Sequence, residues 1–231
     1  MRSPFRAFHS LVLALIGTIA YRALLLGPDL AKDPRFGVYV LPGMIIVLWL
    51  LFSYSRTISD ALLQSLPLVR RLLARRGHIE GDWPLVVVDG RTGGVIYYGF
   101  LSIGFEDGQY LVVGHDWHPD GNHALNFSSM QTYQVHPTLH YWYEQGEGGR
   151  QRGYTFIEFF PRDAVPVRHT GVFHDKEHPD VRFYARKIKY RWLQRRLKGM
   201  EPRRLAGKAF ADEIAPRLPK MVRTSVDADW G

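Results

Sequence analysis

Apolar residues follow three different periods along this chain. Residues 10–26 are almost wholly apolar, and with frayed ends the run 8–26 has about the length needed to cross a hydrocarbon core. A turn-rich stretch at 27–37 with Pro28 and Pro34 separates it from a second apolar run, 38–54, in which Trp49 and Tyr54 are suited to a membrane interface. From 57 to 77 the period becomes helical: Ile58, Leu62, Leu66, Val69, Leu72 and Leu73 share a side, and Pro67 interrupts the pattern. From 81 to 190 it becomes two, in about eight short segments.

Those segments predict strands at 83–88, 95–105, 110–117, 124–135, 138–144, 153–160, 165–173 and 181–190. Turn signals such as Asp89-Gly90, Asp107-Gly108, Asp120-Gly121 and Pro161-Arg162-Asp163 divide them. Thr138-Leu139-His140-Tyr141-Trp142-Tyr143 is β-branched and aromatic with period two, which suits a pleated surface better than a helix. An even number of up-and-down antiparallel strands can close on itself and remove exposed edges, and about eight leave room inside for side chains or one small ligand. The expected architecture is therefore two transmembrane helices (1–55), an amphipathic linker (56–78), an all-β antiparallel barrel (79–190) and a basic helical tail (191–231).

Charge divides along the same boundaries. Residues 1–79 carry ten Lys/Arg against three Asp/Glu, residues 80–190 ten against fourteen, and residues 191–231 ten against five. The barrel is thus acidic overall, which disfavours duplex nucleic acid as its partner. Arg2, Arg6, Arg56, Arg70, Arg71, Arg75 and Arg76 flank the apolar runs, whereas Lys32 and Arg35 between them are offset by Asp29 and Asp33. Basic flanks stay on the cytoplasmic side, so both termini and the barrel are expected in the cytosol. Arg22 can snorkel to the interface. A signal peptide is the alternative for the first run; no small-x-small cleavage site follows, and a second span comes at once. The linker would lie on an anionic membrane surface or pack at a barrel end. The chain has no cysteine, which excludes disulfides, Cys-ligated zinc and a thiol nucleophile.

Gly81-Asp82-Trp83 at the barrel start resembles the Gly-x-Trp of lipocalin-like (calycin) barrels, in which the glycine lets the strand bend and the indole closes the base beneath a basic side chain. Arg186 or Lys187 would provide that cover. More broadly, two spans followed by His78-Ile79-Glu80-Gly81-Asp82-Trp83, Leu139-x-Tyr141-x-Tyr143, His169-Thr170-Gly171 and Phe183-Tyr184-Ala185-Arg186 resemble the SMODS-associating two-transmembrane, β-strand-rich effectors of bacterial CBASS anti-phage immunity. That resemblance implies a barrel that binds a cyclic dinucleotide, followed by homo-oligomeric assembly of the spans and disruption of the inner membrane.

A cyclic dinucleotide needs flat faces for its bases and donors for its phosphates. Tyr141 and Tyr143 share one face of their strand, Arg168 and Thr170 one face of theirs, and Arg182, Tyr184 and Arg186 one face of the last. If those faces turn inward, a cationic, aromatic lumen results. If the arginines face solvent and the lumen is aliphatic, the alternative is a constitutive membrane-tethered module for a lipid or other apolar molecule.

An enzyme is not expected. No Gly-x-Ser-x-Gly elbow occurs, and the scattered carboxylates lack a context that would raise their pKa. His115, His118, His123, His136, His140, His169 and His174 have no strong ligand spacing, so neither metal nor cofactor is expected. In the tail, Leu205, Ala209, Phe210 and Ile214 mark a helix after Pro202. Lipid contact, packing on the barrel and a role in assembly are its alternatives to a solvated face.

Overall fold

The period-two segments form eight strands in the computed structural model, which describes residues 4–30, 37–146, 151–174, 181–189 and 196–223. They are β1 (Gly81–Asp89), β2 (Val95–Glu106), β3 (Gln109–Trp117), β4 (His123–Val135), β5 (Thr138–Gln145), β6 (Gln151–Phe160), β7 (Arg168–His174) and β8 (Val181–Arg186). Each pairs antiparallel with its sequence neighbours, and β8 returns to β1 to close the barrel. Before them come α1 (Pro4–Leu30), α2 (Gly37–Ser53), α3 (Ser55–Ser65) and α4 (Pro67–Ala74). After them come α5 (Met200–Ile214) and α6 (Leu218–Arg223). The chain divides into two units, Met1–Ala74 and Arg75–Gly231.

In the first unit α1 packs on α2 and α3. Val12, Ile16 and Ala20, spaced one helical turn apart, form its buried stripe. His9 Nδ1 lies 2.9 Å from Ser59 Oγ. Pro67 stands where the sequence break was expected, as the first residue of α4. The buried Arg70 reaches back to the last turn of α3, donating to the carbonyls of Leu63 and Gln64, so one of the flanking arginines serves as a helix C-cap. Leu11, Leu15, Ile19, Leu25, Ile45, Ile46, Val47, Trp49 and Phe52 are exposed. Among the described residues no single helix is long and apolar enough to cross a membrane, although Pro42–Ser53 and Ser55–Ser65, bent by 55°, pass that measure together. The α1 helix continues through Pro28 to Leu30, into the stretch expected as a turn, while Lys32, Asp33 and Arg35 lie outside the described residues.

In the second unit, strand alternation separates two cores. Trp83, Leu85 and Val87 of β1, Leu101 and Ile103 of β2, Tyr110 and Val112 of β3, and Leu139, Tyr141 and Tyr143 of β5 fill the lumen with Ile157, Phe159, Phe173 and Phe183. The other face of β1–β2 carries Val86, Val88, Tyr98 and Phe100, which are equally buried because α5 and α6 cover them. Phe210, Ala211, Ile214, Leu218 and Met221 pack there with Trp117 and Tyr184. Pro202 does not break the helix. It falls in the first turn of α5, where a missing N–H costs nothing. The buried stripe is Gly207, Phe210, Ala211 and Ile214, while Leu205 is exposed; the tail is a structural wall of this unit.

Candidate functional site

Gly81 opens β1 at φ 137°, a backbone conformation that side chains disfavour, and the chain turns there so that Trp83 faces inward. Trp83 is fully buried, its Nε1 donates to the Ile79 carbonyl at 3.3 Å, and Lys187 Nζ lies 5.2 Å from its ring centroid. Lys187 also reaches the His78 carbonyl at 3.3 Å. Of the two basic residues expected as covers, Lys187 takes the place and Arg186 points elsewhere.

From Trp83 a chain of rings runs through the lumen. His169 sits 4.8 Å from Trp83, 5.3 Å from Phe159 and 5.6 Å from Phe183. Phe183 continues to Phe173 at 4.7 Å, and Phe173 to Tyr143 at 5.8 Å and Phe127 at 6.3 Å. Glycines make room for these rings. A Cβ on Gly114 would lie 2.1 Å from Phe127, one on Gly153 2.3 Å from Tyr143, and one on Gly171 2.3 Å from Phe183. An eight-stranded interior is just wide enough for side chains to fill, and here rings fill it.

Asp116, His169 and Tyr141 are ionisable groups enclosed in this core. Burial pushes the Asp116 carboxyl up to about 8, so it holds its proton at neutral pH. Burial pushes His169 down to about 3, so its ring stays neutral. Burial also raises the Tyr141 phenol, which faces Thr155, its cross-strand partner on β6. No described group of three or more His, Asp or Glu side chains is placed to hold a metal ion.

The structure corrects the expected lumen site. Only Tyr141 and Tyr143 point inward. His169, Gly171 and Phe173 are the inward residues of β7, and Val181, Phe183 and Ala185 those of β8. By alternation Arg168, Thr170, Arg182, Tyr184 and Arg186 therefore face outward. The two tyrosines and the five late-strand residues lie on opposite sides of the barrel wall and share no pocket. Arg182 hydrogen-bonds to Tyr184, whose phenol burial drives upward in spite of it.

On the outside, however, two of those arginines meet. Arg168 and Arg186 are cross-strand partners on β7 and β8, and with Val167, Lys189, Phe210, Glu213, Ile214 and Arg217 they line a cleft of about 180 Å³. The cleft lies between the barrel wall and the last two turns of α5, at the end of the barrel where β1 begins. Its walls carry four cationic side chains and one carboxylate. Arg186 holds Glu213 through a two-pronged pair, Nη1 to Oε1 at 2.6 Å and Nη2 to Oε2, and its guanidinium carbon lies 5.3 Å from the Phe210 centroid. The hydrogen bonds from Arg186, reinforced by the charge of Arg217, hold Glu213 below the usual glutamate range.

The chain matches no protein-family model and no curated relative. Lys189, Glu213 and Arg217 are the cleft residues that sequence reasoning missed. Lys189 falls within the last predicted strand, 181–190, and lies after the end of β8. Glu213 and Arg217 lie in a tail whose place against β7 and β8 could not be known until α5 docked. The signal that was present is the side of α5 marked by Phe210 and Ile214, with Glu213 and Arg217 beside it.

Proposed function

We propose that this protein is a membrane-anchored, non-enzymatic receptor and effector whose ligand is a phosphodiester of the cyclic dinucleotide class, bound on the outer wall of the barrel. The cleft between β7–β8 and α5 carries this reading: four cationic side chains line it, with the Arg186 guanidinium held over the Phe210 ring, the kind of donor set that phosphate oxygens require. Its volume is below the usual size of a small-molecule pocket, so it would take a phosphate and its adjoining group while the rest of the ligand lies along the wall. The packed lumen weighs against an apolar ligand inside the barrel.

The exposed apolar side chains of α1 and α2 support a lipid-embedded first unit, held with the barrel on the cytosolic side by its basic flanks. For ligand to drive self-assembly of that unit, it must bind the assembled form more tightly than the resting one. Titration of the full chain in nanodiscs with cyclic dinucleotides tests the reading. Binding is expected at micromolar ligand or tighter, lost in the double variant R168A/R186A, and accompanied by dye release from liposomes. No binding of any cyclic dinucleotide, alongside saturable uptake of a fatty acid, would overturn it in favour of the lipid-binding alternative.

A further inference from the structure

The cleft already contains an anion. Glu213 is aligned with both terminal nitrogens of Arg186, the geometry in which a guanidinium takes two oxygens of a phosphate. Both side chains are about half exposed, 49% for Arg186 and 52% for Glu213, so the pair is open to solvent and can exchange. Arg217 adds its charge to the same carboxylate. A ligand phosphate entering between Arg168, Arg186, Lys189 and Arg217 therefore meets a competitor fixed to α5.

Resting on the reading of this cleft as the ligand site, we infer that Glu213 is a resident counter-anion that an incoming phosphate must displace, a cost that a group with two negative charges overcomes more readily than a group with one. The reason is charge balance. Replacing one carboxylate by a phosphodiester, a monoanion, exchanges one charge for one and gains little Coulomb energy. Replacing it by a phosphate monoester, close to a dianion above its second pKa of about 6, adds one net attraction to four cations. A ligand with two phosphodiesters obtains the same gain only if both reach the cleft. Displacement also breaks the ion pair between the last turn of α5 and β8, so occupancy and the hold of the helix on the barrel are linked.

The experiment compares two simple probes on the full chain at low ionic strength and pH 8: phenyl phosphate, a dianion, and dimethyl phosphate, a monoanion. Wild type is expected to bind phenyl phosphate the more tightly. Glu213→Gln keeps the shape, removes the competing charge and should tighten both probes by about fivefold, the upper end of what an exposed ion pair contributes. Glu213→Ala should do the same, which guards against a hydrogen bond from the new amide. Weaker binding in both variants would mean that Glu213 orients Arg186 for the ligand, and would overturn the inference. If both variants bind the probes more weakly while wild type still binds cyclic dinucleotides, the cleft stands as the ligand site and only the competitor role falls. If wild type binds neither probe nor any cyclic dinucleotide, the site itself is lost.

Discussion

The Asp116 carboxyl group occupies the space in which Gly99, its cross-strand partner, would carry a side chain: a Cβ there would lie 1.9 Å from Asp116 Oδ1. On the other side of the same strand a Cβ on Gly207 would come within 2.6 Å of the Gly99 carbonyl oxygen. One glycine is thus pressed from the lumen by a buried acid and from outside by a docked helix. Gly99→Ala should destabilise the barrel by about 3 kcal/mol, at the upper end of ordinary overpacking. Thermal unfolding of the full chain, followed by near-UV circular dichroism, checks this, and Gly207→Ala should add a separate loss of α5 docking.

The enclosed Asp116 and His169 predict an unusual pH profile. Between 3.8 and about 8 an unfolded chain ionises Asp116 while the folded barrel keeps its proton, so stability falls as pH rises through that window and the loss is complete above it. Between 6.5 and about 3 an unfolded chain protonates His169 while the folded barrel does not, so stability falls as pH drops. Each slope is about 1.4 kcal/mol per pH unit, and they cancel where the windows overlap. Stability from these groups should be level from about pH 4 to 6.5 and then drop by on the order of 2 kcal/mol by pH 8. Asp116→Asn should abolish the drop above pH 6.5 and uncover a loss on acidification. His169→Phe should extend the Asp116 slope down to about pH 4. Thermal midpoints measured across this range separate the three profiles.

Trp83 and Lys187 should differ sharply in what they contribute. Truncating the fully buried indole in Trp83→Ala leaves a cavity at the start of the ring chain and is expected to cost 3 kcal/mol or more, about the range for large aromatics. Lys187→Ala loses a cation over the ring and a bond to the His78 carbonyl, expected to cost about 1 kcal/mol. Chemical denaturation of each variant gives the comparison. Equal losses would mean that the cover matters as much as the filling at this end.

Phe210 links the cleft to the second core. Its ring packs among the residues under α5 and lies beneath the Arg186 guanidinium. Phe210→Ala should destabilise the second unit by about 3 kcal/mol and also weaken phosphate binding. Phe210→Leu should restore most of the stability and little of the binding. Unfolding and titration of the same samples separate these two effects.

Much of the barrel was legible because a period of two, broken by Gly, Asp and Pro, has few other solutions. Seven of the eight strands begin within two residues of the expected positions, and β7 begins three later because Val165, Pro166 and Val167 lie in the connection ahead of it. The facing of the late strands was harder. On β8, Val181, Phe183 and Ala185 alternate with Arg182, Tyr184 and Arg186, and the apolar set claims the interior, as desolvation requires. On β7 the alternation of His169, Gly171 and Phe173 with Arg168, Thr170 and Val172 names neither side, because each set mixes polar and apolar residues. What settles it is the fit of Phe183 over Gly171, a contact between two strands that no single-strand pattern contains. The cleft was less legible still, since half of its lining comes from residues that follow the barrel in sequence.

Because α5 and α6 roof the apolar outer faces of β1 and β2, the last strand is not where this folding unit stops. A barrel severed after residue 190 would present Val86, Val88, Tyr98, Phe100 and Trp117 as one sticky, water-facing sheet, and would lose Glu213 and Arg217 from its basic cleft. Such a fragment should precipitate or self-associate and report false silence in any ligand screen.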